Sequence, residues 1–283
     1  MQKILVVQTA FIGDVVLATG LLEKLYSQWP QAQIDILVRS GNEGLFRDHP
    51  FLHEVIVWDK RSKKYSNLLA VIRRVRRNRY DLLINVQRFA ATGLITILSG
   101  AGRKIGFDKN PFSFLFSDIV RHVVSEGDGQ MHEIERNHQL IRSLTDDKPA
   151  KPRLYPAGAD LAFVQRWKTV PYICIAPASV WFTKQFPADQ WGDFINALPS
   201  GITVYLLGAP GDRDLCENIR ASVEIVPVIS LAGQLDFLQS AALQEDALMN
   251  YVNDSAPMHF ASAVNAPVTA VYCSTIPAFG FGP

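Results

Sequence analysis

Short apolar segments alternate with longer amphipathic ones along most of the chain, in two series separated by one non-periodic break. In the first series Ile4–Gln8, Ile34–Val38, Glu54–Trp58 and Leu82–Val86 are rich in Val, Ile and Leu and short enough to be strands. Asp14–Ser27, Gly41–Asp48, Lys63–Asn78 and Ala90–Ser99 carry helical spacing, and Glu133–Leu144 closes the series as a helix. A strand that is apolar on both faces needs cover on both sides, which helical crossovers of a parallel sheet supply. The break Asp146-Asp147-Lys148-Pro149-Ala150-Lys151-Pro152, with Pro156 and Gly158 beyond, has no period and reads as a linker. The alternation then restarts with strands at Tyr172–Ala176, Thr203–Gly208, Val226–Ser230, Leu248–Val252 and Val268–Cys273. Helical spacing lies between them at Asp189–Ala197, Asp212–Ala221, Leu235–Ala242 and Pro257–Val264. The pattern predicts two doubly wound α/β domains, 1–150 and 151–283. Ligands of such sheets bind at the carboxyl ends of the strands, and a cleft between two such domains is the expected site.

Composition narrows the class further. With 48% hydrophobic and 10% aromatic residues in 283, the chain has apolar area for two cores and is not a disordered polypeptide. No run approaches the ~20 apolar residues of a spanning helix. Met1–Gly13 has one lysine and a short apolar run, but Asp14 follows at once and Ile4–Val7 reads as a buried strand rather than a signal sequence. Cys174, Cys216 and Cys273 are odd in number and widely spaced, which fits neither a disulfide framework nor a metal site. The expectation is a reduced cytoplasmic protein. The net charge of +1 hides an asymmetry. Residues 1–144 carry 20 basic against 14 acidic side chains, and residues 145–283 carry 8 against 13. The first half therefore suits an acidic partner.

Three strand-to-helix loops hold the chemistry. Gln8-Thr9-Ala10-Phe11-Ile12-Gly13-Asp14 stands where a dinucleotide fold would carry G-x-G-x-x-G, and only Gly13 is present, which counts against an NAD oxidoreductase. Asp14 reads either as an N-cap or as a carboxylate able to take a proton from a hydroxyl. The second loop, Ala176–Pro187, contains Lys184, the only basic residue between Lys168 and Arg213, with Ser179 and Thr183 nearby. It reads as a solvated loop lysine or as a phosphate ligand. In the third, Val252–His259, Ser255 or Asp254 caps a helix begun near Pro257, and His259 follows in its first turn. This is a capped helix or an anion site.

Two further features stand beside these loops. Asp212-Arg213-Asp214 has the D-x-D form, but its place at a helix start favours dipole compensation over a metal. Lys60, Arg61, Lys63 and Lys64, with Arg73, Arg74, Arg76, Arg77 and Arg79, make a basic face whose opposite side is apolar. That face is simply solvated, or it meets an anionic membrane surface or phosphorylated glycolipid. No base-reading motif supports nucleic acid.

The runs ILVVQTAFIGDVVLATGLLEKL, APASVWFTKQFP, LLGAPGDRD, LAGQLDFLQSAAL and VNDSAPMHFASAVNAPVTAVY together resemble glycosyltransferase family 9, the ADP-heptose:lipopolysaccharide heptosyltransferases, most closely the heptosyltransferase II type. The resemblance covers both halves in order. It implies the GT-B fold, two Rossmann-like domains facing across a cleft, and an inverting, metal-independent transfer of heptose from ADP-heptose to the lipopolysaccharide inner core. It implies Asp14 as general base and Lys184 on the donor phosphates. It also implies Gly13, Ser179, Thr183, Asp254, Ser255, Ala256 and His259 around the donor, Ala256 standing where the family has glycine. Lys60, Arg61, Lys63 and Lys64 are the expected acceptor contacts. No cofactor or metal is expected, and the enzyme would work peripherally at the inner face of the inner membrane. The chain stops at Phe279-Gly280-Phe281-Gly282-Pro283, so the closing helix of that fold is expected to be absent. The rival readings are a GT-B enzyme using another nucleotide sugar and an inactive nucleotide-binding or membrane-associated relative.

Overall fold

The computed structural model describes residues 2–123, 125–126, 129–277 and 280–283, with backbone only for Lys64, 125–126 and 129–130. The chain forms two compact units, Met1–Arg153 and Leu154–Pro283.

The first unit holds a parallel sheet of six strands. They are β1 (Lys3–Val7), β2 (Gln33–Arg39), β3 (Leu52–Trp58), β4 (Leu82–Asn85), β5 (Arg103–Phe107) and β6 (Asp118–Val120), in the order β3-β2-β1-β4-β5-β6. The crossovers are α1 (Ile12–Gln28), α2 (Lys64–Asn78) and α3 (Ala90–Leu98). Ile4, Leu5, Val6 and Val7 are fully buried, as a strand in mid-sheet under helices on both faces requires. The sheet order reverses at β1, so the carboxyl ends of β1 and β4 mark the switch point.

Several sequence expectations differ here. Gly41–Asp48 is not an α-helix; only a 3-10 turn, Glu43–Phe46, forms. Strands β5 and β6 escape the pattern because β5 opens on two cations, Arg103 and Lys104, and β6 is a short edge strand. Tertiary contacts make them strands. Arg103 grips Asp118 with two hydrogen bonds of 2.7 and 2.9 Å, and a side chain on Gly106 would meet the Phe116 ring at 2.5 Å. A short antiparallel pair follows, β7 (Ser125–Glu126) with β8 (Gly129–Gln130). Then α4 (Glu133–Gln139) packs on α1 and ends early, the remainder of the expected helix becoming a 3-10 turn at Arg142–Leu144.

The Asp146–Pro152 segment is pinned rather than free. Lys24 Nζ donates to Asp146 Oδ1 at 2.6 Å, His138 Nε2 bonds the Asp146 carbonyl at 2.6 Å, and Arg153 N donates to Thr19 Oγ1 at 2.9 Å. It runs along α1 where Gly20 leaves room for the Ala150 carbonyl.

In the second unit, α5 (Gly158–Val164) comes first, a helix that its Pro- and Gly-containing approach concealed. The strands are β9 (Tyr172–Ala176), β10 (Thr203–Leu206), β11 (Val228–Ser230), β12 (Asn250–Asn253) and β13 (Val268–Val271). They are parallel, in the order β11-β10-β9-β12-β13. Helices α6 (Ala188–Asn196), α7 (Arg213–Ala221), α8 (Phe237–Glu245) and α9 (Ala256–Ala263) connect them. Every residue of β9 is buried, and its carboxyl end beside that of β12 is this sheet's switch point.

Among the described residues no helix is long and apolar enough to cross a membrane, and no group of three or more His, Cys, Asp or Glu side chains is placed to hold a metal. Cys174 and Cys216 are buried and Cys273 is exposed, all as free thiols.

Candidate functional site

The two switch points carry two groups of residues, one in each unit. In the first unit the β1–α1 loop is ordered by side chains rising from the neighbouring strands. Asn42 Nδ2 donates to the Ala10 carbonyl at 3.1 Å. Thr9 Oγ1 donates to Gln87 Oε1 at 2.5 Å. Asp14 is the third residue of α1 and half-buried, whereas the N-cap is Phe11, which makes no side-chain cap. The capping reading of Asp14 therefore falls, though its charge still suits the helix N-terminus. Gly13 sits beside it in the first turn.

Charged groups surround Asp14. The Arg39 guanidinium lies 4.7 Å over the Phe11 ring. Burial, together with the charge of Arg61, lowers the Arg39 pKa, while Asp14 acts the other way. Glu133 opens α4 and pairs with buried Arg136. Burial pushes the Glu133 carboxyl up to about 7, with Asp14 adding to the rise and Arg136 opposing it. Asp14 thus lies within electrostatic reach of both a cation and a second carboxyl.

The basic run separates into different environments. Arg61 and Lys63 are exposed, as are Arg73, Arg74, Arg76 and Arg77 on the outer face of α2. Lys60 is half-buried, its ammonium bonded to the Thr9 carbonyl at 2.8 Å. The Lys64 side chain lies outside the described residues.

In the second unit the structure joins two loops that are distant in sequence. Lys184 Nζ forms an ion pair with Asp254 Oδ2 at 2.6 Å. Asp254 is buried, and Thr275 Oγ1 donates to the same oxygen at 2.6 Å. Asn253 locks the loops to each other, donating from Nδ2 to the Pro177 carbonyl at 2.6 Å and accepting from Phe186 N at 3.1 Å. Gln185 Nε2 closes the Lys184 loop on the Ser179 carbonyl at 2.7 Å.

Ser255 is the N-cap of α9, but its hydroxyl turns back to the Asn253 carbonyl at 3.3 Å rather than to the helix amides. Ala256 begins α9 and His259 is buried within it. Thr183 is exposed beside Val180, Trp181 and Phe182, an apolar rim to the Lys184 loop. Thr275, Asn253 and Arg39 carry geometry that sequence reasoning missed. Only Asn253 left a trace, as a polar residue directly after a strand. Asp212 caps its own turn, accepting from Ala209 N at 2.7 Å.

A lysine ion-paired to a buried carboxylate at the switch point of a parallel sheet holds an oriented ammonium, its charge balanced by Asp254, where such sheets bind ligands. The sequence model of glycosyltransferase family 9 (heptosyltransferase) matches residues 68–281. The chain belongs to this family. It is a glycosyltransferase of the GT-B fold class, built from two Rossmann-like units. The glycosyltransferase is 27% identical to lipopolysaccharide heptosyltransferase 3 of Escherichia coli, over 94% of this chain and 82% of that one. Relatives named as types 1 and 2 match at 24% and 26%, so overall likeness does not single out type II. Its fold is that of a family 9 glycosyltransferase from Veillonella parvula, with a TM-score of 0.88 and 22% identity, covering 100% of this chain and 83% of that one. It is also similar to E. coli heptosyltransferase WaaC solved with ADP-2-deoxy-2-fluoro heptose (TM-score 0.75, 21% identity, 98% and 90% covered).

Proposed function

We propose that this glycosyltransferase transfers heptose from ADP-heptose to a lipopolysaccharide inner-core acceptor, with inversion at the anomeric carbon and without a metal. The observation that carries the reading is the Lys184–Asp254 pair at the β9/β12 switch point, in a chain of a heptosyltransferase family. Asp14 takes the proton of an acceptor hydroxyl as that oxygen forms its bond to the anomeric carbon. The bond from that carbon to the β-phosphate oxygen breaks, and its electron pair leaves with ADP. Lys184, oriented by Asp254, stabilises the charge growing on that phosphate. Ser179, Thr183, Ser255, Ala256 and His259 surround the donor, with Gly13 beside the base. The exposed Arg61 and Lys63 and the arginine face of α2 receive a phosphorylated, lipid-linked acceptor at the anionic cytoplasmic face of the inner membrane, to which the enzyme binds peripherally.

The test is transfer from ADP-heptose to a heptose-deficient core, followed by mass spectrometry in the presence of EDTA. Wild-type protein is expected to turn over undiminished by the chelator. Asp14→Asn should lose ~10²-fold or more in kcat, the scale of a positioned base, while retaining ADP affinity. Near-normal turnover by that variant removes Asp14 from the mechanism. Preference for UDP or GDP over ADP in a binding screen would move the donor to another nucleotide sugar.

A further inference from the structure

Lys60 stands apart from the basic run to which it belongs in sequence. Its ammonium lies 2.8 Å from the Thr9 carbonyl oxygen, 2.7 Å from Thr9 Oγ1 and 4.7 Å from the centre of the Trp58 ring. Thr9 Oγ1 therefore accepts from Lys60 while donating to Gln87 Oε1 at 2.5 Å. The Gln87 backbone is itself held, its N–H donating to Asn85 Oδ1 at 2.9 Å and its main-chain carbonyl accepting from Asn110 Nδ2 at 3.1 Å. Thr9 and Gln87 are buried. Residues following β1, β3 and β4 thus converge on Thr9, and Lys60 brings the charge to that junction.

A hydrogen bond from an ammonium is roughly twice as strong as a neutral one, and partial burial strengthens it further. The loop it holds, Gln8–Phe11, runs straight into the first turn of α1, which carries Asp14. Gln8 spans the two, contacting the Asp14 carbonyl through Nε2 at 3.5 Å and the Ala10 amide through Oε1 at 3.3 Å.

We infer that Lys60 is a positioning residue that clamps the β1–α1 loop and so sets the direction of the Asp14 carboxylate, rather than a ligand of the acceptor. The inference rests on the reading of Asp14 as the base. A base misplaced by a fraction of an ångström loses rate without losing substrate affinity. A lysine that binds an anionic acceptor behaves in the opposite way. Arginine separates the two roles: it serves a phosphate at least as well as lysine, but its planar fork does not fit the single ammonium position between Thr9 and Trp58.

The experiment compares Lys60→Met, Lys60→Arg, Thr9→Val and the Lys60→Met/Thr9→Val double variant, in kinetics and in amide hydrogen exchange. Expected for both Lys60 variants is a kcat loss of ~10-fold or more with the acceptor KM within ~2-fold. The double variant should lose less than the sum of the two single losses, because the two changes share the Lys60–Thr9 Oγ1 contact. Exchange at residues 9–14 should quicken in Lys60→Met, with the strands unchanged. An acceptor KM raised ~10-fold at constant kcat, an active Lys60→Arg, or unchanged exchange in the loop would overturn the clamp. If Lys60→Met does not fold, Lys60→Arg and Thr9→Val decide the matter. Failure of the Asp14 reading shows separately, as a fully active Asp14→Asn, and the exchange measurement then still reports on the clamp itself.

Discussion

Glu133 shows how far burial alone moves a side chain's chemistry. Its side chain is 14% exposed, and burial raises its pKa to about 7 although Arg136 pairs with it. An acid whose folded pKa lies above its unfolded value favours the folded state below the unfolded pKa and loses that contribution as pH rises. Here the loss falls between the ordinary 4.5 and about 7. His49 has the opposite sign: burial lowers it from 6.5 to about 4, so its contribution is complete above 6.5 and is lost as pH falls toward 4. The two windows overlap between 4.5 and 6.5, where the contributions oppose each other, so wild-type thermal melting should change little across that interval. Glu133→Gln should uncover a rise in Tm as pH climbs from about 4 to 6.5, and His49→Leu a fall as pH climbs from 4.5 to about 7. A profile unchanged in Glu133→Gln would remove that carboxyl from the pH dependence. Neither shift was readable in sequence, where Glu133 was one of two acids in an expected helix and His49 directly followed the expected helix Gly41–Asp48.

At the scale of elements, α1 shows the limits of periodicity. Its spacing predicts an amphipathic helix, but every residue from Val15 to Leu22 is buried, with Leu25, so the middle of the helix is covered on all sides. Gly20 would ordinarily weaken such a helix by ~1 kcal/mol relative to alanine. It is required because a side chain there would meet the Ala150 carbonyl at 2.6 Å. Gly20→Ala should therefore destabilise the protein by ~1–3 kcal/mol in urea unfolding despite its better helix propensity. A stabilised variant would show that the Asp146–Pro152 segment yields easily. Strands β5 and β6 make the same point in reverse. Their residues show no clear apolar pattern, and the Arg103–Asp118 pair and the Gly106–Phe116 contact hold them in the sheet.

At the scale of the whole molecule, charge is divided as the two halves of the sequence divide it, with the excess of basic residues in 1–144. Most of that excess is on the surface, in Arg61, Lys63 and the outer face of α2. Exposed charges are screened within ~10 Å at ~0.1 M salt. Raising salt from ~0.05 to ~0.5 M should weaken association with vesicles containing anionic lipid and raise KM for a phosphorylated acceptor. ADP binding should fall less, because the Lys184–Asp254 pair is partly buried. Salt-independent vesicle binding would remove the basic face from membrane association.

The alternation of apolar and amphipathic segments was enough to determine two doubly wound parallel sheets, because a strand apolar on both faces has few other ways to leave water. It also placed the polar loops at the carboxyl ends of β1, β9 and β12, so Asp14, Lys184 and Asp254 were all legible as residues of interest. Only the tertiary structure decided how those residues are used. Lys184 meets Asp254 and Thr275 although they are far apart along the chain, and Lys60 turns inward to Thr9 while Arg61 stays in solvent. Local spacing determines which face of an element a side chain leaves from. Its partner is set by packing between segments distant in the chain.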